Sequence, residues 1–379
     1  MLVNYAVNDD WTVKGPLSKR EKLFTKIKPR LVPPLVKTLK TKNLVIHSPS
    51  ILPSSLVKTL NQNDSDLIHL HWVQNEMLSI ADIGLIRKPV VWTLHDMWGF
   101  CGAEHYTEDF RWRDGYLTNN RPDYESGFDL NRWTALRKLK HWKQPINIVS
   151  PSNWLADCAK NSILMKDWSV TVIPNAIDTN IWQPVNKAIA RKLLQLPVNV
   201  PLILFGAMGG SKDPRKGFDL LKSALNHLRG QFTGIEIVVF GQSPPKSPEN
   251  IGFPVHYTGH MFDEVSLRLL YSASDVLIIP SRQDNLPNTG IEAHACGTPV
   301  IAFDTCGLSD IVTHRQTGYL AKAFDTEDLA VGIQWVIEDA ERHSMLSSMS
   351  RKKAVSQWSC EIVAPQYNSL YQSVLNSKI

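Results

Sequence analysis

Apolar residues along this chain fall into two alternating rhythms. Short, nearly continuous runs of Val, Ile and Leu alternate with longer stretches in which apolar residues recur at helical spacing. The runs have the length and branching of strands buried on both faces, and the stretches have the period of amphipathic helices. Alternation of the two along a whole chain is the pattern of parallel α/β sheets. In the first half it predicts strands over 44–46, 67–71, 90–94, 146–149 and 170–173. In the second it predicts strands over 202–205, 235–240, 255–257, 276–279 and 300–302. Leu2, Val3, Asn4 and Tyr5 read as a further strand. Near the end, Ile362, Tyr367, Leu370, Tyr371 and Val374 share one face of a helix predicted over 361–375.

A chain of 379 residues exceeds one ordinary core, so two domains are expected, over 1–175 and 176–360, followed by a C-terminal helix in 361–379. Hydrophobic content of 43% with 20% charged residues is that of a globular protein. The apolar runs fall far short of the ~20 residues that span a bilayer, and no signal-peptide pattern opens the chain. Cys101, Cys158, Cys296, Cys306 and Cys360 are odd in number and lack metal-type spacing. They fit free thiols in a reducing cytoplasm rather than a structural zinc site.

The net charge of +5 is unevenly placed: 1–175 hold 23 Lys and Arg against 17 Asp and Glu, and 176–379 hold 18 against 19. Most of the excess lies from Lys14 to Lys42, where ten basic residues face one acid, Glu21. Leu23, Phe24 and Ile27, then Leu31, Leu35, Val36 and Leu39, recur there at helical spacing around Pro33-Pro34. Such a pair of helices either lies on an anionic membrane surface or is a lysine-rich solvent face. Nucleic acid is not expected, because no nucleic-acid-binding motif accompanies the charge.

The chemistry concentrates in Ser281-Arg282-Gln283-Asp284-Asn285-Leu286-Pro287-Asn288-Thr289-Gly290-Ile291-Glu292, followed by Gly297-Thr298-Pro299-Val300. A buried strand leads into a turn-rich loop and then into a helix predicted over 290–295. That order leaves backbone N–H groups at a strand's carboxyl end, a cradle for phosphate. Asp284 and Glu292 flank the loop with seven residues between them. Carboxylates do not bind phosphate but accept hydrogen bonds from hydroxyls, as on sugar and ribose rings. The pattern resembles the donor-site signature of family 4 (group 1) retaining glycosyltransferases, with Asp284 where the commoner residue is Glu. The resemblance implies a GT-B fold, two Rossmann-like domains facing across a cleft with the C-terminal helix crossing back to the first. It implies donor contacts from Asp284, Asn285, Leu286, Pro287, Asn288, Thr289 and Glu292, and a UDP- or GDP-sugar as substrate. In that family Lys, Arg and helix dipoles replace a metal, and no cofactor is expected.

Other segments extend the resemblance. From Phe205 to Leu221 a strand, a Gly-rich loop and a helix opened by Gly217 place Arg215 and Lys216 where a leaving diphosphate would need positive charge. The family's usual Arg is Ala207 here, and Lys212 or Arg215 is positioned to supply its charge. Pro174-Asn175-Ala176-Ile177-Asp178 resembles the family's interdomain hinge. Thr93-Leu94-His95-Asp96 ends a strand, which puts His95 at a ligand-binding edge. By resemblance it hydrogen-bonds the sugar or lends a dipole to an oxocarbenium, making His95, Lys216 and Asp284 the candidate catalytic set. His71, Trp72 and Asp96 are candidates for the acceptor side, with core roles as the alternative. The aromatic segment over 99–141 is either an acceptor-recognition surface or a satellite cluster. Asp96, Glu104 and Asp109 lack metal-site spacing.

One departure bears on the fold. The family's first domain begins with a central strand and a Gly-rich loop, whereas here 2–5 matches the second strand, so the first strand is expected to be lacking or to lie upstream of Met1. The implied activity is transfer of a sugar, with retention, to a surface polysaccharide or lipid-linked glycan, nearest to the colanic-acid type. Its expected place is the cytoplasm, peripheral to the inner membrane face. The alternative is a non-catalytic GT-B subunit that binds sugar nucleotide or a partner. A dinucleotide oxidoreductase is excluded, because no Gly-x-Gly-x-x-Gly is followed by an acid ~20 residues on.

Overall fold

In a computed structural model that describes residues 1–3, 10–16, 19–206, 213–230, 234–247 and 250–377, the apolar runs form two parallel sheets. Each belongs to its own unit. The first unit comprises Met1–Pro151, Leu155–Val172 and Leu370–Ile379; the second comprises Ser152–Trp154 and Ile173–Ser369.

In the first unit, β1 (Ile68–His71), β2 (Val90–Thr93), β3 (Asn147–Ser150) and β4 (Val170–Val172) lie side by side in that order, all parallel. β2 is buried along its whole length, which accounts for its unbroken Val90-Val91-Trp92-Thr93. Among the described residues no strand pairs with the other edge of β1. A groove of about 780 Å³ lies beside it, walled by Leu2, Leu60, Leu70 and Trp72. Leu2 forms a single bridge with Lys14, and Asn4 and Tyr5 lie outside the described residues. The strand expected over 44–46 does not form. Leu44 and Ile46 are exposed, and the segment's backbone groups are used outside a sheet, Val45 N–H by Asn43 Oδ1 and Ile46 C=O by His105 N–H. Leu39–Thr41 instead pairs antiparallel with Glu125–Gly127. The basic segment contributes α1 (Lys19–Leu31) and a short helix at Pro33–Val36, where Pro33 opens a new first turn.

The second sheet holds β5 (Leu202–Gly206), β6 (Glu236–Phe240), β7 (Val255–Gly259), β8 (Val276–Ile279), β9 (Val300–Phe303) and β10 (Gly318–Ala321). Their order is β10-β9-β8-β5-β6-β7, all parallel. Leu204, Leu277, Ile279 and Val300 enter one core, while Ile203, Phe205, Ile278 and Ile301 enter another. Helix α2 (Phe218–Leu228), with Thr326–Ile337, covers the second core. Helices α3 (Glu264–Ala273), α4 (Asn288–Ala295) and α5 (Ala340–Trp358) cover the first. Strands sheltered on both faces read as continuous apolar runs. β10 escaped the sequence reading because Gly318 opens it. A Cβ there would lie 1.8 Å from Val300 O, so the strand's first residue cannot carry a side chain.

The terminal helix α6 (Cys360–Asn376) belongs to the second unit up to Ser369 and to the first from Leu370. Its buried stripe runs through Val363 and Val374, while Ile362 is 43% exposed, a correction of one position to the expected face. Tyr371 closes the stripe with a 2.7 Å hydrogen bond between its hydroxyl and His69 Nδ1.

Candidate active site

β5 and β8 are neighbours in the second sheet, so the loops leaving their carboxyl ends meet. After β5, residues 207–212, among them Ala207 and Lys212, lie outside the described residues. The following turn, Pro214–Lys216, is capped by Asp213, which accepts from Arg215 N–H at 3.0 Å. Gly217 follows at φ 68°, and a Cβ there would fall 1.9 Å from Pro280 O. Only glycine permits that approach of one loop to the end of the other strand.

The two loops are then laced together. Arg282 N–H donates to Arg215 O at 2.8 Å, and Arg215 Nη1 donates to Gln283 O at 2.8 Å. Arg282 pairs with Asp219 at 2.6 and 2.9 Å, and this hydrogen bonding holds the Asp219 carboxyl below its usual range. The lacing brings Lys216 Nζ to 2.5 Å from Asp284 Oδ2, with Arg215 Nη1 3.6 Å from Oδ1. Ser281 Oγ donates to the same carboxylate at 3.1 Å. Arg215, Lys216 and Asp284 therefore form one cluster.

Beyond Asp284 the chain is fixed from outside the loop. Gly307 N–H donates to Asp284 O at 3.0 Å, Ser152 Oγ to Asn285 Oδ1 at 2.6 Å, and Asn175 Nδ2 to Asn288 Oδ1 at 2.9 Å. Leu286 packs into the core at 5% exposure, so of the expected donor residues it acts from behind the loop. Pro287 precedes α4 without giving it a side-chain cap, so the first N–H groups, at Asn288 and Thr289, suit an anion. Glu292 lies one turn further along α4. Its Oε2 accepts from the Tyr271 hydroxyl at 2.8 Å, and burial pushes its pKa above the ordinary value.

In the first unit, His95 follows β2, and its Nε2 lies 3.0 Å from His71 Nδ1. The His71 ring packs 4.1 Å from that of His69, which also meets Thr93 Oγ1 at 2.8 Å. Burial, then the neighbouring imidazoles, lower His69 to about 4 and His71 to about 3, and burial lowers His95. All three are neutral at pH 7, when a histidine can both donate and accept. Asp96 is turned inward. It caps Met97–Gly99 and accepts from Trp72 Nε1 at 3.2 Å and from His105 Nδ1 at 2.7 Å. Trp72 keeps 43% of its surface in water. In the aromatic segment His105, Trp112 and Tyr116 are buried, whereas Phe110 and Phe128 are exposed. The buried part of the segment is held by buried Lys138 donating to Cys101 O at 3.0 Å and Gly102 O at 2.8 Å.

Residues 21–181 match the model of Glycosyltransferase Family 4, and residues 201–339 match that of Glycosyl transferases group 1. The chain belongs to the family 4, group 1 glycosyltransferases. A D-inositol 3-phosphate glycosyltransferase of Segniliparus rotundus is 29% identical over 197 residues, 49% of this chain and 41% of the relative. The match thus spans less than half of that relative. Among solved structures, sucrose-phosphate synthase of Thermosynechococcus elongatus superposes with a TM-score of 0.62 at 19% identity, covering 95% of this chain and 94% of that one. Anabaena Alr3699/HepE in complex with UDP-glucose gives 0.61 at 16% identity, covering 84% and 81%. The fold is GT-B.

Within this family 4 chain, sequence reasoning overlooked Arg282, Asp219, Ser152 and Tyr271. Arg282 stood inside the donor signature and could have been assigned from its position there. The other three are joined to the site by hydrogen bonds that only the fold creates, and no spacing in the chain announces them.

Proposed function

We propose that the protein transfers a sugar from a nucleoside diphosphate of uridine or guanosine type to a hydroxyl of a surface polysaccharide or lipid-linked glycan, with retention. The observation that carries this reading is the convergence of Arg215 and Lys216 on Asp284 beside the uncapped start of α4. The two cations and the helix N–H groups neutralise the diphosphate as it leaves. Glu292 accepts from the ribose hydroxyls and Asp284 from the sugar. No step is given to a metal. His95 is assigned to the sugar, its neutral ring oriented by His71. The leaving phosphate oxygen takes the acceptor proton during front-face attack.

A panel of UDP- and GDP-sugars tests this, read by thermal shift and by slow donor hydrolysis. One nucleotide class should both raise the unfolding temperature and be hydrolysed. Absence of both responses across the panel overturns the reading, and binding without hydrolysis or transfer would establish a non-catalytic subunit. In a responsive protein, His95→Ala should lower turnover and spare nucleotide affinity, a split seen by comparing kcat with the Kd for UDP or GDP.

The same reading places the protein on the cytoplasmic face of a membrane. Among the described residues no helix is long and apolar enough to cross one. On α1, however, Leu23, Phe24 and Leu31 are 57%, 63% and 60% exposed beside Lys22 and Lys26. Vesicles containing anionic phosphatidylglycerol should bind the protein in a salt-sensitive way, at about 1 kcal/mol per engaged basic residue. Phe24→Glu should abolish sedimentation with vesicles; unchanged sedimentation would remove α1 from the contact.

A further inference from the structure

We propose that Tyr271 is a positioning residue of the donor site: its phenol, donating to Glu292 Oε2 at 2.8 Å, holds the carboxylate so that its other oxygen meets the nucleotide's ribose. This rests on the assignment of Glu292 to the ribose. Tyr271 lies near the end of α3 and is fully buried. Its ring packs against Trp182 and Phe240, both at 6.0 Å between centroids. Its backbone carbonyl accepts from Thr298 Oγ1 at 2.7 Å. A phenylalanine could make every one of these contacts. Among the described residues the hydroxyl serves only Glu292, and a buried hydroxyl is retained at a cost unless it has such a partner. Glu292 in turn is a long side chain on an eight-residue helix, and without a second anchor its carboxylate would sample several rotamers.

The surroundings give a second signature. Burial raises the Glu292 pKa, the Tyr271 bond opposes that rise, and Glu264 on α3 adds to it. Arg268 of α3 and Arg351 of α5 are directed elsewhere, to the carbonyls of Gln183, and of Thr179, Trp182 and Ala295. Cys296, just past the end of α4, is pushed up to about 12 by burial and stays a neutral thiol. The flanking strands β8 and β9 contribute no titratable side chain. Removing the Tyr271 hydroxyl therefore raises the Glu292 pKa further. The carboxyl accepts from ribose more strongly when charged and now becomes protonated at a higher pH, so the acid limb of nucleotide binding moves upward.

The test measures Kd for UDP and GDP by calorimetry across pH in the full chain. Tyr271→Phe should weaken binding of the recognised nucleotide about tenfold, shift the acid limb upward and leave the unfolding midpoint near that of the parent. In a Glu292→Gln background, Tyr271→Phe should have no further effect, because the residue acts through the carboxylate. Glu292→Asp, which keeps the charge but draws it away from Tyr271, should lose affinity to a similar extent and serves if Tyr271→Phe folds poorly. Parental affinity and pH profile in Tyr271→Phe overturn the inference, as does an equal loss in the Glu292→Gln background. If Glu292→Gln alone binds like the parent, the assignment of Glu292 to the ribose has failed instead.

Discussion

Replacing Lys216 with alanine is expected to remove about 2–4 kcal/mol of transition-state stabilisation, a fall in turnover of roughly 30- to 800-fold. The lysine is a compact cation paired with Asp284, and its side chain is four-fifths buried there. In that partly dehydrated setting a charge-assisted contact to the departing diphosphate is stronger than it would be in water. The structural cost of the change is small by comparison. Asp284 keeps Ser281 Oγ at 3.1 Å and Arg215 at 3.6 Å, and the loops stay laced through Arg282 and Asp219. Single-turnover donor cleavage and the unfolding midpoint, measured together, separate the two effects. Turnover within twofold of the parent would show that Lys216 does not face the leaving group. Lys216→Arg should recover only part of the rate, because a planar fork does not replace a point charge in a fixed turn.

The second sheet was legible in the chain because burial on both faces leaves no polar alternation to confuse it. Five of its six strands follow directly from runs such as Val276–Ile279. The sixth opens at Gly318, whose missing side chain reads as a turn until the neighbouring carbonyl of Val300 is seen. The opposite error, a strand over 44–46, came from apolar residues that the fold leaves in water. Local composition cannot tell an apolar residue at an edge from one in a core. One residue of the α6 face, Ile362, is misplaced for a related reason. Ile362 and Val363 are equally apolar, and packing alone decides between them.

The candidate site divides along the same line. Residues close together in the chain, from Asp284 to Glu292, could be placed on a loop and helix by spacing alone. The structure joins them to Arg215 and Lys216 through a turn that depends on Gly217. Spacing gives Lys216 to the phosphate and Asp284 to hydroxyls of a sugar or ribose ring. It does not foresee that the two pair with each other, so that each fixes the other's position. Nor could it supply the hydrogen bond of His71 to His95, which requires the register of β1 against β2.

Gly307 is where a single methyl group should have the largest effect outside the charged cluster. Its backbone lies so close to the donor loop that a Cβ would fall 1.2 Å from Asn285 O and 3.1 Å from Ser152 Cβ. The obstruction is backbone, so no side chain can swing away to relieve it. The contact exists because Gly307 N–H reaches back to Asp284 O at 3.0 Å, which ties the segment after β9 to the loop after β8. Gly307→Ala must break that bond or displace Asn285, at a cost of about 1–3 kcal/mol in stability. A displacement of ~1 Å carries Asp284 and the start of α4 away from their places, for which a loss of the order of 100-fold in turnover is expected. Thermal unfolding and steady-state kinetics on the same preparation check both effects. Parental values in both would mean that the loop tolerates the shift, and that the donor site is not held by this contact.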